Sequence, residues 1–545
     1  MEFYKENTPK LMKSLKFIVP VLITVILSFG FVVTHSSVNI DTLAYDRYFE
    51  KGELLAQERL TAPVLNKLFG IMNFNPFFVD TIAVILLITA SVLWCLLFKR
   101  VSKNGLKDIV YTVFACLFLS YPLICEIFTY TPSGISIGLG YCFTALALMI
   151  GYELSISKEK KLLRIGLQTI LLCLAIYLYE SFAAVYLCGI FMIFIIEFVY
   201  NKEKVKFWEL LKKGIIFILP LIFGIILGKI IVKILWLILK ITASENAEKD
   251  IIWLTKGIKA GVITLIKTFI NLYVLASTYY LPITLLAISF VILVVLAIKD
   301  SIKEKSWIVL LLFIGFCIAT VALSIVQGTA SPYRTCQTFA IFVAFVFMIF
   351  TQDILTKCNI KVINNIVLFI VFTAVLYQAK ELHRQFYTNY IRYEHEKNIV
   401  TNIGNELVRE HDITKPVYFT GENGYSKPVL DELIVSEKHI GLRITRKLNK
   451  MLGNPSSWYD YKYMCPIRYG QTNVNSYLYW GQRSFPKDEK VSVELIKWFN
   501  MLGYNIKAGD RNKYEEIEKI GKSNPNHYPK KGYIIETSDY IIVNF

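Results

Sequence analysis

The chain has 545 residues, 55% of them hydrophobic, with a mean hydropathy of +0.48 and a formal net charge of +17. A composition this apolar excludes an ordinary soluble domain. Residues 1–380 hold 35 Lys/Arg against 22 Asp/Glu, and residues 381–545 hold 24 against 20, so most of the positive excess lies between apolar runs and reads as loop charge, not as a nucleic-acid surface.

Crossing roughly 30 Å of hydrocarbon takes about 18 or more apolar residues. Runs of that kind lie near 16–34, 77–98, 109–125, 134–152, 162–179, 183–200, 214–238, 280–298, 306–326, 335–352 and 362–380. The pattern predicts a polytopic α-helical membrane protein with about 11 transmembrane helices over 1–380. The stretch FVVTHSS after the first run has no small-residue cleavage pattern, so that run reads as a retained anchor. Short basic segments, KLMKSLK, KRVSKNGLK, SKEKKLLR, NKEKVKFWELLKK and KDSIKEK, fall where the inside loops of an N-terminus-in topology belong. The segment 253–275 is nearly long enough to span but carries Lys256, Lys259 and Lys267; it reads as interfacial or re-entrant, which leaves the C-terminus outside. Apart from Lys229 and Lys233 in the seventh run, the spans read as almost free of charge. Lys229 either snorkels or binds a phosphate.

Residues 381–545 lack an apolar run and read as a soluble, extracytoplasmic α/β domain large enough for its own core. It opens on a charged helical stretch, 381–411, that continues out of the last span. A short strand (415–421), a helix (491–504) and a terminal β-hairpin (533–545) follow. Two aromatic clusters, SSWYDYKYM and YLYWGQRSF, fit a core, a membrane-interface belt or a carbohydrate surface. Nine of ten cysteines lie in or beside apolar spans, with no CxxC pair, and read as small buried hydrophobes. The six histidines show no metal-ligand spacing, so no metal and no cofactor is expected.

The loops on the predicted outer side differ from the basic ones. The first, 35–76, contains VNIDTLAYDRYFEKGELLAQERL, whose middle (41–58) can form an amphipathic surface helix with Leu43, Tyr48, Leu54 and Leu55 facing lipid or protein. Asp41 is a good N-cap for that helix. The second loop, YPLICEIFTYTPSG, carries Glu126; YLYES carries Glu180; QGTASPYRT carries Arg334. Ionisable residues beside a bilayer are costly, and here Asp41, Asp46, Glu126 and Glu180 fall on one side. An enzyme working there has no nucleotide sugar at hand; its activated donor is most simply a sugar on a polyprenyl phosphate. Such a transfer needs a carboxylate to accept a hydroxyl proton, which Asp41 or Asp46 could supply, and cations for the departing phosphate, for which Arg59 and Arg334 are suited.

A short N-terminus, one span and an Asp-containing loop resemble the GT-C superfamily of polyprenyl-phosphate-sugar glycosyltransferases, and within it the GtrII-type glucosyltransferases that modify O-antigen. The loop from Asn39 to Phe69 resembles that family's acidic pair followed by a Gly-Arg-Pro-like element and a helix. Glu126 and Tyr130 resemble its Glu-Asn-x-x-Tyr loop, AIYLYESFAAVYL its Tyr-Gln-Pro-like helix break, and SPYRT its Pro-x-Arg element. Asp41, Arg59, Glu126, Tyr130 and Arg334 carry over; Thr42, Glu58, Leu60 and Glu180 depart from the pattern. The likeness covers roughly 10–380 and implies a multi-pass protein of a bacterial cytoplasmic membrane. It implies a polyprenyl-phosphate-linked glucosyl donor and a cell-envelope glycan acceptor, with Asp41 and Glu126 in catalysis and Arg59, Tyr130 and Arg334 in substrate binding; the outer-loop chemistry adds Asp46 to catalysis and Glu180 to substrate binding. The competing class is a lipid or polysaccharide flippase; within enzymes it is a GT-C transferase for another sugar or a protein acceptor. The C-terminal domain and the acidic outer loops favour the enzyme.

Overall fold

The computed structural model describes residues 2–38, 40–43, 49, 52–70, 75–128, 130, 133–157, 159–201, 207–242, 253, 256–269, 283–328, 335–357, 360–421 and 493–545. Each of the eleven apolar runs contains a helix. Among the described residues, eight helices are long and apolar enough to cross a membrane: Leu15–Thr34, Pro76–Val101, Ser133–Ile156, Phe182–Tyr200, Phe207–Leu239, Leu285–Glu304, Thr338–Lys357 and Lys361–Glu410. The chain is a membrane protein. Helices Asp108–Leu119, Lys161–Ile176 and Trp307–Thr320 have 12, 16 and 14 residues, which at about 1.5 Å per residue fall short of roughly 30 Å. Helix Gly257–Phe269, with 13 residues and exposed Lys259 and Lys267, is likewise shorter than a span.

Two faces of the bundle pack closely because small residues let the helices approach. A Cβ built on Gly140 would stand 2.0 Å from the Phe182 ring, which also meets Tyr141 edge-on at 5.2 Å. Helices Pro76–Val101 and Ser133–Ile156 run side by side in the same direction: a Cβ on Gly134 would meet the Ala83 methyl at 3.1 Å, and at the far end Arg100 Nε donates to Glu153 Oε1 at 2.7 Å.

The basic segments meet at that far end. Lys99 pairs with Asp108 at 3.1 Å, Arg164 donates to the Glu153 and Ser157 carbonyls, Lys213 pairs with Glu197 at 2.9 Å, and Lys299 pairs with Asp353. The Phe3 ring of helix Glu2–Lys13 lies under the Arg100 guanidinium. This is the arrangement expected when positively charged loops share one membrane face.

At the opposite end, helix Lys361–Glu410 leaves the bundle without a break, passing through 380/381. It leads into a four-stranded sheet in the order β2 (Lys507–Ala508), β1 (Pro416–Thr420), β4 (Ile541–Asn544), β3 (Ile534–Glu536). The expected terminal hairpin is β3 and β4, paired antiparallel, while β1 runs parallel to both its neighbours. Phe419, Phe499, Phe545, Trp498 and Ile541 fill the core between this sheet and helix Val493–Met501. The aromatic clusters at 456–464 and 477–485 lie outside the described residues.

Two outcomes test this packing. Gly140→Ala is expected to lower the melting temperature of detergent-purified protein, at a cost of about 1–3 kcal/mol for overpacking. Gly166→Ala, where nothing lies within 4 Å, is the control; equal melting temperatures would contradict the packing. In the tail, Glu536 accepts from Lys415 at 2.6 Å and from His411 at 2.9 Å, and these bonds pull its carboxyl from 4.5 down to about 2. A depressed carboxyl stabilises the fold above its unfolded value and loses that contribution as pH falls through the folded one. Tail stability, followed by Trp498 fluorescence, is therefore expected to decline between 4.5 and about 2 in the wild type, with a shallower decline in Glu536→Gln.

Candidate functional site

The loop that carries the acidic residues is not one surface helix. It forms two short helices, Ile40–Leu43 and Glu53–Ala56, and the second begins after Gly52 in the left-handed region (φ 77), a conformation that breaks a continuous helix. Asp41 lies inside the first helix and does not precede it; Asp46 and Tyr48 lie outside the described residues. The apolar side chains expected on one face are divided between two cores. Leu43, with Val38, is buried in the core of the C-terminal domain, whereas Leu54 and Leu55 are buried in the core of the helix bundle. Lys497, from helix Val493–Met501, donates to the Leu43 carbonyl at 2.8 Å and ties the tail to the acidic loop.

Beyond Gly52 the chain is fixed against other loops. Trp236 Nε1 donates to the Leu55 carbonyl at 2.8 Å, the Thr61 amide to the Tyr177 carbonyl at 3.1 Å, and the Thr61 hydroxyl to the Leu174 carbonyl at 3.0 Å. These contacts hold Arg59 with its guanidinium carbon 4.4 Å from the centre of the Tyr179 ring, while its Nε is buried with no hydrogen-bond partner among the described residues. Glu180 is exposed in the same turn that carries Tyr179, so two loops far apart in sequence meet here. The next residue, Ser181, donates to the Gln337 side chain, and Tyr141 donates to the Gln337 carbonyl at 2.7 Å. That brings the 335–337 segment beside the others; Arg334 itself lies outside the described residues.

The Glu126 loop folds as a short helix, Ile124–Phe128, followed by buried Tyr130, whose carbonyl accepts from Ser133 N. Phe128 packs between Phe29 and Phe386, at 5.1 and 6.2 Å, placing this helix against the start of the tail. The structure thus brings Arg59, Glu180 and the 335–337 segment together, and sets the Glu126 helix and the Asp41 helix against helix Lys361–Glu410 and the tail domain. The side chains of Asp41 and Glu126 are not described. Among the described residues, no group of three His, Cys, Asp or Glu could hold a metal ion.

Two features escaped the sequence reading. Asp80 lies within the second span, against the expectation that only Lys229 and Lys233 are charged there. It is 3% exposed, it has no partner among the described residues, and it begins the core stripe Asp80, Ala83, Leu87, Ala90, Trp94. It stands about one turn before Ala83, the residue that meets Gly134. The other is a polar stripe on helix Lys361–Glu410: Gln378, Glu381, Gln385, Asn389, Arg392 and Glu396 are all buried. Its spacing of three and four was legible, but a charged helix leaving a membrane reads as solvated unless polar periodicity is examined as apolar periodicity is. Arg392 donates to Glu396 at 2.8 Å and to Asn389 at 3.1 Å, and Asn389 donates to Ser37 at 2.6 Å. Gln378 accepts from Ser120 at 2.8 Å, and both amide atoms of buried Gln385 lack a hydrogen-bond partner.

The family model described as Glucosyl transferase GtrII matches residues 30–351, a span that runs from the last turn of the first membrane helix into helix Thr338–Lys357. No curated protein and no solved structure matches this chain.

If the acidic loop owes its position to the tail, Leu43→Ala should destabilise the protein by about 2–4 kcal/mol and speed proteolysis near 411–415. Leu68→Ala, at a position 67% exposed, should do neither. Equal proteolysis of the two variants would separate loop from tail.

Proposed function

The chain belongs to the GtrII glucosyl transferase family, and from that premise we propose that it moves a glucosyl group from polyprenyl phosphate to a cell-envelope glycan at the bundle end where the acidic loop, the 177–181 turn and the tail meet. It is a glycosyltransferase of the membrane; donor, acceptor and sidedness are the proposal. The observation that carries the reading is that the family match covers three loops that the fold gathers at one end: the Arg59 loop, the Glu126–Tyr130 loop and the Glu180 turn.

In this reading the N-terminus and the basic segments face the cytoplasm and the tail faces outward, with eleven crossings in all. Acidic loops and lipid-linked donor then share the outer face of a bacterial cytoplasmic membrane. Asp41 accepts the proton of the acceptor hydroxyl, whose oxygen attacks the anomeric carbon; the bond from that carbon to the phosphate oxygen breaks, and its electrons leave with polyprenyl phosphate. The phosphate gains negative charge as it departs. Arg59 is suited to meet it, since its guanidinium is held by stacking on Tyr179 while Nε keeps a free donor. Arg334 joins it from the neighbouring segment. Asp46 and Glu126 support the base and orient the acceptor, and Tyr130 and Glu180 contact the sugars. The tail covers the site and contributes to acceptor binding.

Purified protein incubated with polyprenyl-phosphate-linked glucose and envelope polysaccharide is expected to transfer glucose, and Asp41→Asn to lower the rate by about 10²–10⁴. Full activity in Asp41→Asn would remove Asp41 from the role of base. Transfer of another lipid-linked sugar in preference to glucose would move the chain to a different donor.

A further inference from the structure

Helix Phe207–Leu239 presents one face to the bundle and one away from it. Phe217, Leu221, Gly224, Gly228 and Val232 are buried, and the Tyr177 hydroxyl donates to the Ile225 carbonyl at 2.9 Å. Lys229 and Lys233, one turn apart, are exposed on the other side. They stand about 15 and 9 Å short of Leu239 along the axis. The apolar surface continues past them: Ile234, Leu237, Ile238 and Leu239 are 49, 81, 69 and 56% exposed. Both lysines therefore lie within a continuous exposed apolar surface, and neither makes an ion pair or hydrogen bond among the described residues. Glu58, which lies near Tyr177, pairs with neither among the described residues. Two ammonium groups one turn apart on an exposed apolar helix face, without a partner among the described residues, are costly beside a bilayer.

The surroundings indicate what relieves that cost. The helix and the chain just past it are tied to the Arg59 loop directly by Trp236, which donates to the Leu55 carbonyl, and by Ile241 beneath Gly52, and indirectly by Tyr177, which joins Ile225 to Thr61. Lys229 and Lys233 thus sit on the lipid-facing side of the wall whose other side carries Arg59. We propose that Lys229 and Lys233 form the docking site for the phosphate of a polyprenyl phosphate, with the isoprenoid chain lying along Ile226, Ile230 and Ile234, from which the headgroup passes to Arg59. This rests on the glucosyl-transfer reading for its biological role, but not for its binding chemistry. Charge complementarity selects an anionic lipid phosphate, and continuity with the Arg59 loop selects the polyprenyl lipid over the bulk phospholipids.

Native mass spectrometry of the full-length protein in nanodiscs tests this with three lipids: polyprenyl phosphate, the neutral polyprenol of the same length, and phosphatidylglycerol. The Lys229→Leu/Lys233→Leu double variant removes charge from an apolar face and is expected to fold. It should lose about tenfold in affinity for polyprenyl phosphate with no change for polyprenol, and Lys229→Arg/Lys233→Arg should retain binding. Unchanged polyprenyl phosphate affinity in the leucine variant would overturn the site, as would an equal loss of phosphatidylglycerol, which would mark generic lipid anchoring. Wild-type protein that binds polyprenyl phosphate but transfers no glucose would remove the glucosyl reading and leave the lysine site standing.

Discussion

The loop from Val38 to Thr61 is anchored in two hydrophobic cores at once, and the rest of the candidate site depends on that double anchorage. Val38 and Leu43 are buried with the tail, Leu54 and Leu55 with the bundle, and the left-handed turn at Gly52 redirects the chain between them. Burying a leucine contributes on the order of 2 kcal/mol, so neither end can leave its core without a large fraction of a domain's stability being lost.

That constraint explains why the tail matters to a family match that stops at 351. Helix Lys361–Glu410 is a single rod through both bodies, and its buried polar stripe is satisfied largely by partners from elsewhere in the chain or from its own next turn. Buried amides and ion pairs tolerate little displacement, since each lost partner exposes an unsatisfied group to an apolar setting. The rod, the Glu126 helix packed on Phe386 and the Asp41 helix pinned by Lys497 therefore form one support. The tail thus helps to hold the acidic loop in place, in addition to covering the bundle.

Electrostatics divides the molecule along its length. At one end, Arg100, Lys213 and Lys299 each have a carboxylate partner, so the positive segments are neutralised locally. At the other, among the described residues, Arg59 Nε and buried Asp80 have no partner, and exposed Lys229 and Lys233 make no ion pair. Unpaired charge in a low-dielectric setting is unfavourable unless a ligand completes it.

Much of this was legible in the sequence, because the bilayer imposes rules that act locally. Length and apolarity place the helices at the eleven runs, and Pro, Gly and basic residues mark their ends. The short strand, the helix and the hairpin of the tail are likewise local patterns, of period two and of period 3.6. Arg59, Tyr130 and Glu180 could be singled out from residue type and from the order of their loops. Which of them meet could not be read, because those contacts join residues more than a hundred positions apart, such as Thr61 and Leu174. The sequence by itself determined a helical membrane protein with a mixed tail and ionisable loops between its helices. Only the tertiary structure decided that Leu43 and Leu55 belong to different cores, that Arg59 stacks on Tyr179, and that Asp80 is buried. Burial and pairing are set by what the rest of the chain brings to a residue, and no local period encodes that.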